Sequence, residues 1–408
     1  MRSATSKRHL PLTQYKVTIE KLAIGGAGIA RHDGLVIFIP DSAPGDELFV
    51  ELTFKKKNYA EAKILQILAP GPERRIEPCP IADRCGGCNW QHITEIEQRR
   101  QKHMMVHETL QKFLRPTSAN LDWDFLPLQE SPRSFRYRNR IQPKYAAGKF
   151  GFFSRRSHEI IEAQDCPITE ELVTQLFPSV KAEMDRRFAQ TREVQRLELY
   201  LDQQQNPKWL LMGEAKEGVG FSQVNRFQND DLIRTVLEWS DGTYERVLDL
   251  YAGSGNFTFP LASRFLGLPV LAAELDPKLV QKAQAVVDGD STLQGRVQFS
   301  LADVGAFLKS TPPKAQDFIL LDPPRAGANA EIMRSLALSN AGKIIYISCH
   351  PVSLARDLQY FFAAQAELEK QDSTSRKHRF KLRRVQCFEM FPQTDHVETI
   401  AELAVDTR

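Results

Sequence analysis

Asp249-Leu250-Tyr251-Ala252-Gly253-Ser254-Gly255-Asn256-Phe257 ends an apolar run, Arg246 to Leu250, and opens a helical pattern, Phe257 to Phe265. Two glycines in a strand-to-helix turn let a ligand come close to the backbone, beside the unpaired amides of the helix start. The third glycine of the dinucleotide fingerprint is absent, because Thr258 stands in its place. Glu274 ends the next apolar run, Val270 to Leu275, about twenty residues on, where a carboxylate can hold ribose hydroxyls. Asp303 follows the third, Val297 to Ala302, and can approach an adenine edge.

Working outward, strand and helix patterns keep alternating: Lys278 to Val287, Val304 to Lys309, Phe318 to Leu321, Ala330 to Leu338 and Lys343 to Ser348. Such a pattern is solved by buried parallel strands with covering helices, so the C-terminal half reads as a doubly wound, Rossmann-like α/β domain. Ligands of such sheets bind at the carboxyl ends of the strands. Nicotinamide enzymes and S-adenosylmethionine methyltransferases both fit these features. Asp322-Pro323-Pro324-Arg325, directly after an apolar strand, favours the methyltransferases, whose equivalent motif holds the target base beside the methyl donor. Arg325 stands where amine methylases carry an aromatic, which argues against nitrogen as the acceptor.

Ile347-Ser348-Cys349-His350-Pro351 brings a cysteine to the end of another buried strand. Pro351 suits the first turn of a helix, so the dipole and free amides are expected to favour a Cys349 thiolate nucleophile. A cysteine that simply fills core at a strand end would look the same. Near the end, strand-like runs at Leu382 to Phe391 and Val397 to Val405 flank Asp395-His396-Val397-Glu398, and Glu398 could return across the sheet toward Cys349. Cys387 has no partner pattern and reads as core.

The N-terminal half has a different character. Short strands at Tyr15 to Ile19, Leu35 to Ile39, Glu47 to Phe54 and Tyr59 to Ile67, separated by Gly- and Asp-rich turns, predict a small OB-type β-barrel. Lys55-Lys56-Lys57-Asn58-Tyr59 puts basic and aromatic residues at one of its turns. Beyond Pro70-Gly71-Pro72 come Cys79, Cys85 and Cys88, with glycines filling Cys85-Gly86-Gly87-Cys88, and Cys166 is the candidate fourth ligand. Four thiolates suit zinc or an iron-sulfur cluster, and the Cys-Pro steps at Cys79-Pro80 and Cys166-Pro167 lean toward the cluster. The spacing of radical S-adenosylmethionine enzymes is absent. A helix is predicted from Glu95 to Leu114, and Ser131 to Ile141 spaces arginines among aromatics, expected as a cationic, RNA-contacting strand.

Six cysteines in 408 residues exclude a secreted disulfide framework. The 42% hydrophobic and 26% charged content is that of a globular chain, with no bilayer-spanning run and no signal segment, so a cytoplasmic protein is expected. A net charge of +3 permits a nucleic-acid partner without demanding one.

Together, Gly220-Phe221-Ser222-Gln223-Val224-Asn225, Asp249 to Phe257, Asp322 to Arg325, Ser348 to Pro351 and His396 to Glu398 resemble the bacterial S-adenosylmethionine-dependent RNA 5-methyluridine methyltransferases. The resemblance covers nearly the whole chain, and its barrel and four cysteines point to the 23S ribosomal RNA (uracil-C5) branch. It implies a TRAM-like barrel over 8–69, a central iron-sulfur and RNA-binding domain over 70–220 and a methyltransferase domain over 221–408. It further implies an S-adenosylmethionine pocket of Gln223, Tyr251, Asn256, Glu274, Asp303 and Asp322, a 4Fe-4S cluster on Cys79, Cys85, Cys88 and Cys166, Cys349 as nucleophile and Glu398 as base. His350 and Tyr251 depart from the asparagine and phenylalanine common at those positions. RNA is the expected partner of a monomer with no membrane contact. The competing readings are a transfer RNA methylase, a non-catalytic assembly factor and a dinucleotide-dependent oxidoreductase.

Overall fold

The computed structural model describes residues 13–115, 122–155, 157–214, 223–371 and 380–405. Gly220, Phe221 and Ser222, with the 220/221 boundary, and residues 8–12 lie outside them.

The first unit is a six-stranded curled sheet: β1 (Gln14–Thr18), β2 (Lys21–Leu22), β3 (Gly28–His32), β4 (Leu35–Ile39), β5 (Glu47–Lys55) and β6 (Tyr59–Ala69), in the order β1-β5-β6-β4-β3-β2. Alternate residues such as Val17, Ile37, Ile39, Leu48 and Val50 fill its interior, the period-two pattern expected of half-buried strands. The β5–β6 turn leaves Lys56 exposed, its Nζ 5.7 Å and 5.4 Å from the ring centroids of Phe54 and Tyr59.

Helix α1 (Glu95–Leu114) starts where Thr94 Oγ1 accepts from the Glu97 amide, with Glu95 and Glu97 complementing the dipole in its first turn. Its buried face, Gln98, Gln101, Lys102, Met105, Val106 and Leu110, repeats at helical spacing. After β7 (Asp124–Phe125) a second sheet forms from β8 (Arg140–Ile141), β9 (Lys144–Ala146), β10 (Lys149–Phe153), β11 (Ile160–Glu162), β12 (Gln195–Leu201) and β13 (Pro207–Leu211), with α2 (Glu171–Thr174) and α3 (Phe177–Phe188) between β11 and β12. Tyr145, Phe150, Val180, Met184, Leu197 and Leu199 form its core.

The expected cationic strand does not form there. Of Ser131 to Ile141 only Arg140 and Ile141 are in a strand, and two of the arginines pair with carboxylates remote in sequence. Arg136 is bidentate on Asp165, Arg140 pairs with buried Glu198, and Arg138 lines the cysteine cavity. Arg133 is the one that stays on the surface, its guanidinium 4.1 Å from the Phe227 ring centroid.

The third sheet carries α4 (Arg226–Trp239), β14 (Arg246–Leu250), α5 (Thr258–Arg264), β15 (Val270–Glu274), α6 (Pro277–Gly289), β16 (Val297–Leu301), α7 (Val304–Ser310), β17 (Asp317–Leu321), α8 (Ala330–Ala337), β18 (Lys343–Ser348), α9 (Pro351–Gln371), β19 (Phe380–Phe388) and β20 (Glu398–Val405). The order is β16-β15-β14-β17-β18-β20-β19-β7. Strands β14 to β18 are mutually parallel, as expected, but β20 is antiparallel to both of its neighbours, so the sheet is mixed. Leu248, Leu250, Ile319 and Leu321 face α1, α7, α8 and α9, while Val247, Phe318, Leu320 and Ile345 face α4, α5 and α6. That two-sided burial explains the continuous apolar runs. Cys387 is fully buried on β19, as the sequence implied.

Candidate active site

Four strands of this sheet bring a reactive or acidic side chain to one edge. Asp249 is in β14, Asp322 directly follows β17, Cys349 directly follows β18, and Glu398 begins β20. The ladder between β18 and β20 ends with Ser348 opposite Thr399, so the next step sets Cys349 opposite Glu398. Directly opposed residues of an antiparallel pair have Cβ atoms about 5 Å apart. The Asp322 amide donates to Leu250 O at 3.3 Å, which fixes its strand end against β14.

The charges of this row act on one another. Burial pushes the Asp249 carboxyl up to about 7, and its neighbour Glu274 adds to the rise. Burial and then Asp249 raise Asp322; burial and then Asp322 raise Glu398 well above the ordinary carboxylate range. Burial pushes the Cys349 thiol up to about 12, with Glu398 and Asp322 adding to it and Arg325 opposing them. Burial beside two carboxyl groups therefore opposes the thiolate that the helix start was expected to favour. A helix start supplies about half a positive charge, which does not outweigh burial beside two carboxyl groups.

His350 completes the turn. Its Nδ1 accepts from the Ser353 amide at 3.3 Å and its carbonyl from the Leu354 amide at 3.1 Å, so it caps α9, whose first residue is Pro351 as expected. With Nδ1 an acceptor, the neutral ring carries its proton on Nε2. Burial keeps the ring neutral by lowering its pKa, and Arg325 and His396 act in the same direction.

The six expected cofactor residues fall on the same edge or its approach. Tyr251 leaves β14 with φ +63°, a left-handed conformation rare for its type, and Gly253 and Gly255 follow at +58° and +96°. A Cβ on Gly255 would lie 2.3 Å from the Phe259 ring, so that glycine is required by space as well as by φ. Glu274 Oε2 accepts from the Gly253 amide at 2.9 Å, while Oε1 accepts from Leu275 and Asp276. Asp303 caps α7 through Oδ1, with amides of Gly305 and Ala306 at 2.8 and 3.3 Å. Asn256 exchanges two 3.0 Å bonds with Asn229, and the Gln223 carbonyl accepts from Asn139 Nδ2 at 3.4 Å.

Sequence reasoning assigned no role to Asp249, Asn229, Thr258 or His396. Thr258 Oγ1 donates to Asp249 Oδ2 at 2.5 Å, leaving Oδ1 buried without a partner. A threonine in place of the third fingerprint glycine was the available signal.

About this edge, a separate cavity of about 200 Å³ gathers Cys79, Cys85, Cys88 and Cys166, with Arg138 and Gln91 also in its wall. Among the described residues no three His, Cys, Asp or Glu side chains meet closely enough to hold a single metal ion. The cysteines instead rim a space of several atoms, and the donor set and room fit a multi-atom thiolate-bound group.

Comparison with known proteins matches this arrangement. A TRAM domain profile fits residues 13–65, and a tRNA (Uracil-5-)-methyltransferase profile fits residues 208–302 and 314–404. An uncharacterized RNA methyltransferase of Bdellovibrio bacteriovorus is 52% identical over 97% of this chain and 96% of its own length. The chain belongs to the uracil-C5 RNA methyltransferase family. A member of that family in Shewanella halifaxensis, named 23S rRNA (uracil(1939)-C(5))-methyltransferase RlmD, is 30% identical over 97% of this chain and 96% of its own. The tRNA (uracil-54, C5)-methyltransferase of Pyrococcus abyssi, solved with S-adenosyl-L-homocysteine, has the same fold, with a TM-score of 0.69, 21% identity and coverage of 96% and 100%. The protein is thus an S-adenosylmethionine-dependent RNA methyltransferase with an N-terminal TRAM domain. Among the described residues no helix is long and apolar enough to cross a membrane.

Proposed function

We propose that this methyltransferase modifies C5 of a uridine in 23S ribosomal RNA through a covalent adduct between Cys349 and uracil C6. The observation that carries the reading is the strand register that sets Cys349 opposite Glu398, with Asp322 on the next strand end. Uracil C5 is a weak nucleophile. Addition of the Cys349 thiolate to C6 moves the electron pair onto C5, which then accepts a methyl group. S-adenosylmethionine, when bound, supplies that methyl as an electrophile, and Gln223, Tyr251, Asn256, Glu274, Asp303 and Asp322 are the residues that would hold it. Glu398 takes the C5 proton, the C5–C6 double bond re-forms, and the thiolate leaves. Burial first, and then the neighbouring carboxyl groups, hold the proton on Cys349, and a cationic methyl donor bound beside Asp322 would offset the second of these and so favour the thiolate.

The ribosomal target is supported by the relatives named for 23S RNA, including one 29% identical over the whole of this chain in Pectobacterium atrosepticum. A buried target uridine must be flipped out to enter, and the exposed Lys56–Phe54–Tyr59 tip and the Arg133–Phe227 stack offer cationic, stacking surfaces to RNA. Cys79, Cys85, Cys88 and Cys166 would hold a 4Fe-4S cluster as four thiolate ligands; a closed tetrahedral zinc site would leave no comparable space. The test is incubation with 23S RNA or tRNA containing 5-fluorouridine, followed by peptide mass spectrometry. Fluorine blocks the final proton removal, so a methylated adduct on Cys349 with 23S RNA is expected. An adduct with tRNA alone moves the target, and no adduct with either sinks the mechanism.

A further inference from the structure

The catalytic sheet does not by itself hold the segment that delivers Glu398. Between β19 and β20 the chain runs through Glu389-Met390-Phe391-Pro392-Gln393-Thr394-Asp395-His396-Val397, outside any helix or strand. Four consecutive carbonyls of this loop each accept a bond from a different part of the chain. Asn225 Nδ2 donates to Met390 O at 3.1 Å, Lys102 Nζ to Phe391 O at 3.1 Å, the Tyr137 hydroxyl to Pro392 O at 3.0 Å, and the Trp90 amide to Gln393 O at 3.1 Å. Gln393 is fully buried at φ +68°, a conformation that a side-chain-bearing residue keeps only when its surroundings impose it.

Two of the tethers come from beside the cysteine cavity. Tyr137 packs against Cys88 and Cys166. Asn89, next in sequence to Cys88, forms a reciprocal pair with Asp395: its Nδ2 donates to Asp395 Oδ1 at 2.8 Å, and its Oδ1 accepts from the Asp395 amide at 3.1 Å. The other carboxylate oxygen of Asp395 accepts from the Gly25 amide of the TRAM unit at 2.9 Å. A Cβ on neighbouring Gly26 would lie 2.3 Å from Asn89 Nδ2, so the TRAM turn is shaped to this contact.

We propose that Tyr137 and Asn89 are positioning residues for the proton-removal step, holding the 389–397 loop so that Glu398 meets the C5 proton. Asp395 is three residues from Glu398, and the donors reach the loop from outside the catalytic sheet. The cysteine region and TRAM unit therefore bear on the chemistry as well as on RNA binding. The inference rests on the covalent mechanism proposed above. A misplacement of about 1 Å at a reacting group costs on the order of a hundredfold in rate.

The test uses the full-length, anaerobically purified protein and its Tyr137→Phe and Asn89→Ala variants with ordinary uridine RNA. Addition and methyl transfer precede the step that Glu398 performs. Either variant is therefore expected to accumulate a denaturation-resistant, methylated Cys349–RNA adduct while kcat falls roughly tenfold to a hundredfold. The KM for S-adenosylmethionine and the absorbance of the cysteine-bound group are expected to hold. A merely structural role would lower the melting temperature and total activity without building up the adduct, and that result, or parental turnover in both variants, overturns the proposal. Asn89 is only half-buried, so its variant keeps the test open if Tyr137→Phe does not fold. If the parent traps 5-fluorouridine RNA and the variants accumulate nothing on uridine RNA, the positioning role alone falls. If the parent traps nothing, the covalent mechanism falls and this inference with it.

Discussion

Replacing Glu398 with glutamine should make Cys349 more acidic while destroying turnover. The ladder ends with Ser348 opposite Thr399, and one further step brings Cys349 to face Glu398 at the roughly 5 Å spacing of directly opposed Cβ atoms. One unit charge at that distance and an effective dielectric of about 20 is worth ~3 kcal/mol, or about two pK units. Burial pushes the thiol up to about 12, and the Glu398 carboxylate is the next largest cause of that rise. Burial is the larger cause and remains in the variant, as does Asp322, so the thiol should fall by about 1–2 units and stay above the ordinary cysteine value of about 8.5. Iodoacetamide labelling of Cys349 between pH 7 and 11, read by peptide mass spectrometry, measures this directly. The same variant with uridine RNA should stop at the methylated adduct. An unchanged or more basic thiol in Glu398→Gln would refute the idea that this carboxylate faces the nucleophile.

Asp249→Asn should flatten the pH dependence of stability. Burial pushes the folded carboxyl up to about 7 from an ordinary value near 3.8, so the folded state binds the extra proton between those limits. Its contribution is full below about pH 4 and is lost as pH rises through about 7, on the order of 2–4 kcal/mol that thermal melts at pH 5 and 8 should show in the parent and lose in the variant. Cys85→Ser should abolish the visible absorbance and roughly four irons expected of a cluster in anaerobically purified protein; parental iron content would reject this thiol as a ligand. Lys56→Ala, at the exposed TRAM tip, should weaken RNA binding several-fold and reduce the salt slope by about one, with methyl transfer at saturating RNA unchanged.

Legibility in the sequence followed the range of the forces involved. Phe318 to Leu321 and Ile344 to Ile347 stand out because strands covered on both faces must be continuously apolar, with Asp322 one position after the first run and Cys349 two after the second. The glycine turn and the four cysteines were equally plain, since local backbone shape and thiol spacing are short-range properties. The arginines of 131–141 misled because charge spacing does not reveal whether a partner is inside the protein. Asp165 and Glu198 lie 29 and 58 residues from the arginines they neutralise. The surroundings of Cys349 were hidden for a related reason: the helix start is visible locally, whereas its burial and its neighbours Glu398 and Asp322 come only through strand pairing. Strand β19, expected to run to Phe391, stops at Phe388 because the carbonyls beyond it are taken by Asn225, Lys102, Tyr137 and Trp90.

The antiparallel direction of β20 follows from what the site needs. In β14 to β18 the chain reaches the ligand edge at strand ends, so each offers its residue just before a helix begins. A base facing the Cys349 side chain from the neighbouring strand must sit on that same edge, and a parallel strand would reach it only at its far end. Reversing β20 makes its first residue, Glu398, the one at the edge. The consequence is that the approach to Glu398 is an irregular loop passing over the rim of the sheet, where its carbonyls have no ladder to join. Unpaired buried carbonyls are costly, so that loop needs donors from elsewhere: Asn225, Lys102 of α1, Tyr137 and the Trp90 amide supply them, while the TRAM turn and Asn89 bind the Asp395 carboxylate. The regions expected to bind RNA are thereby also the ones that hold the loop leading into Glu398.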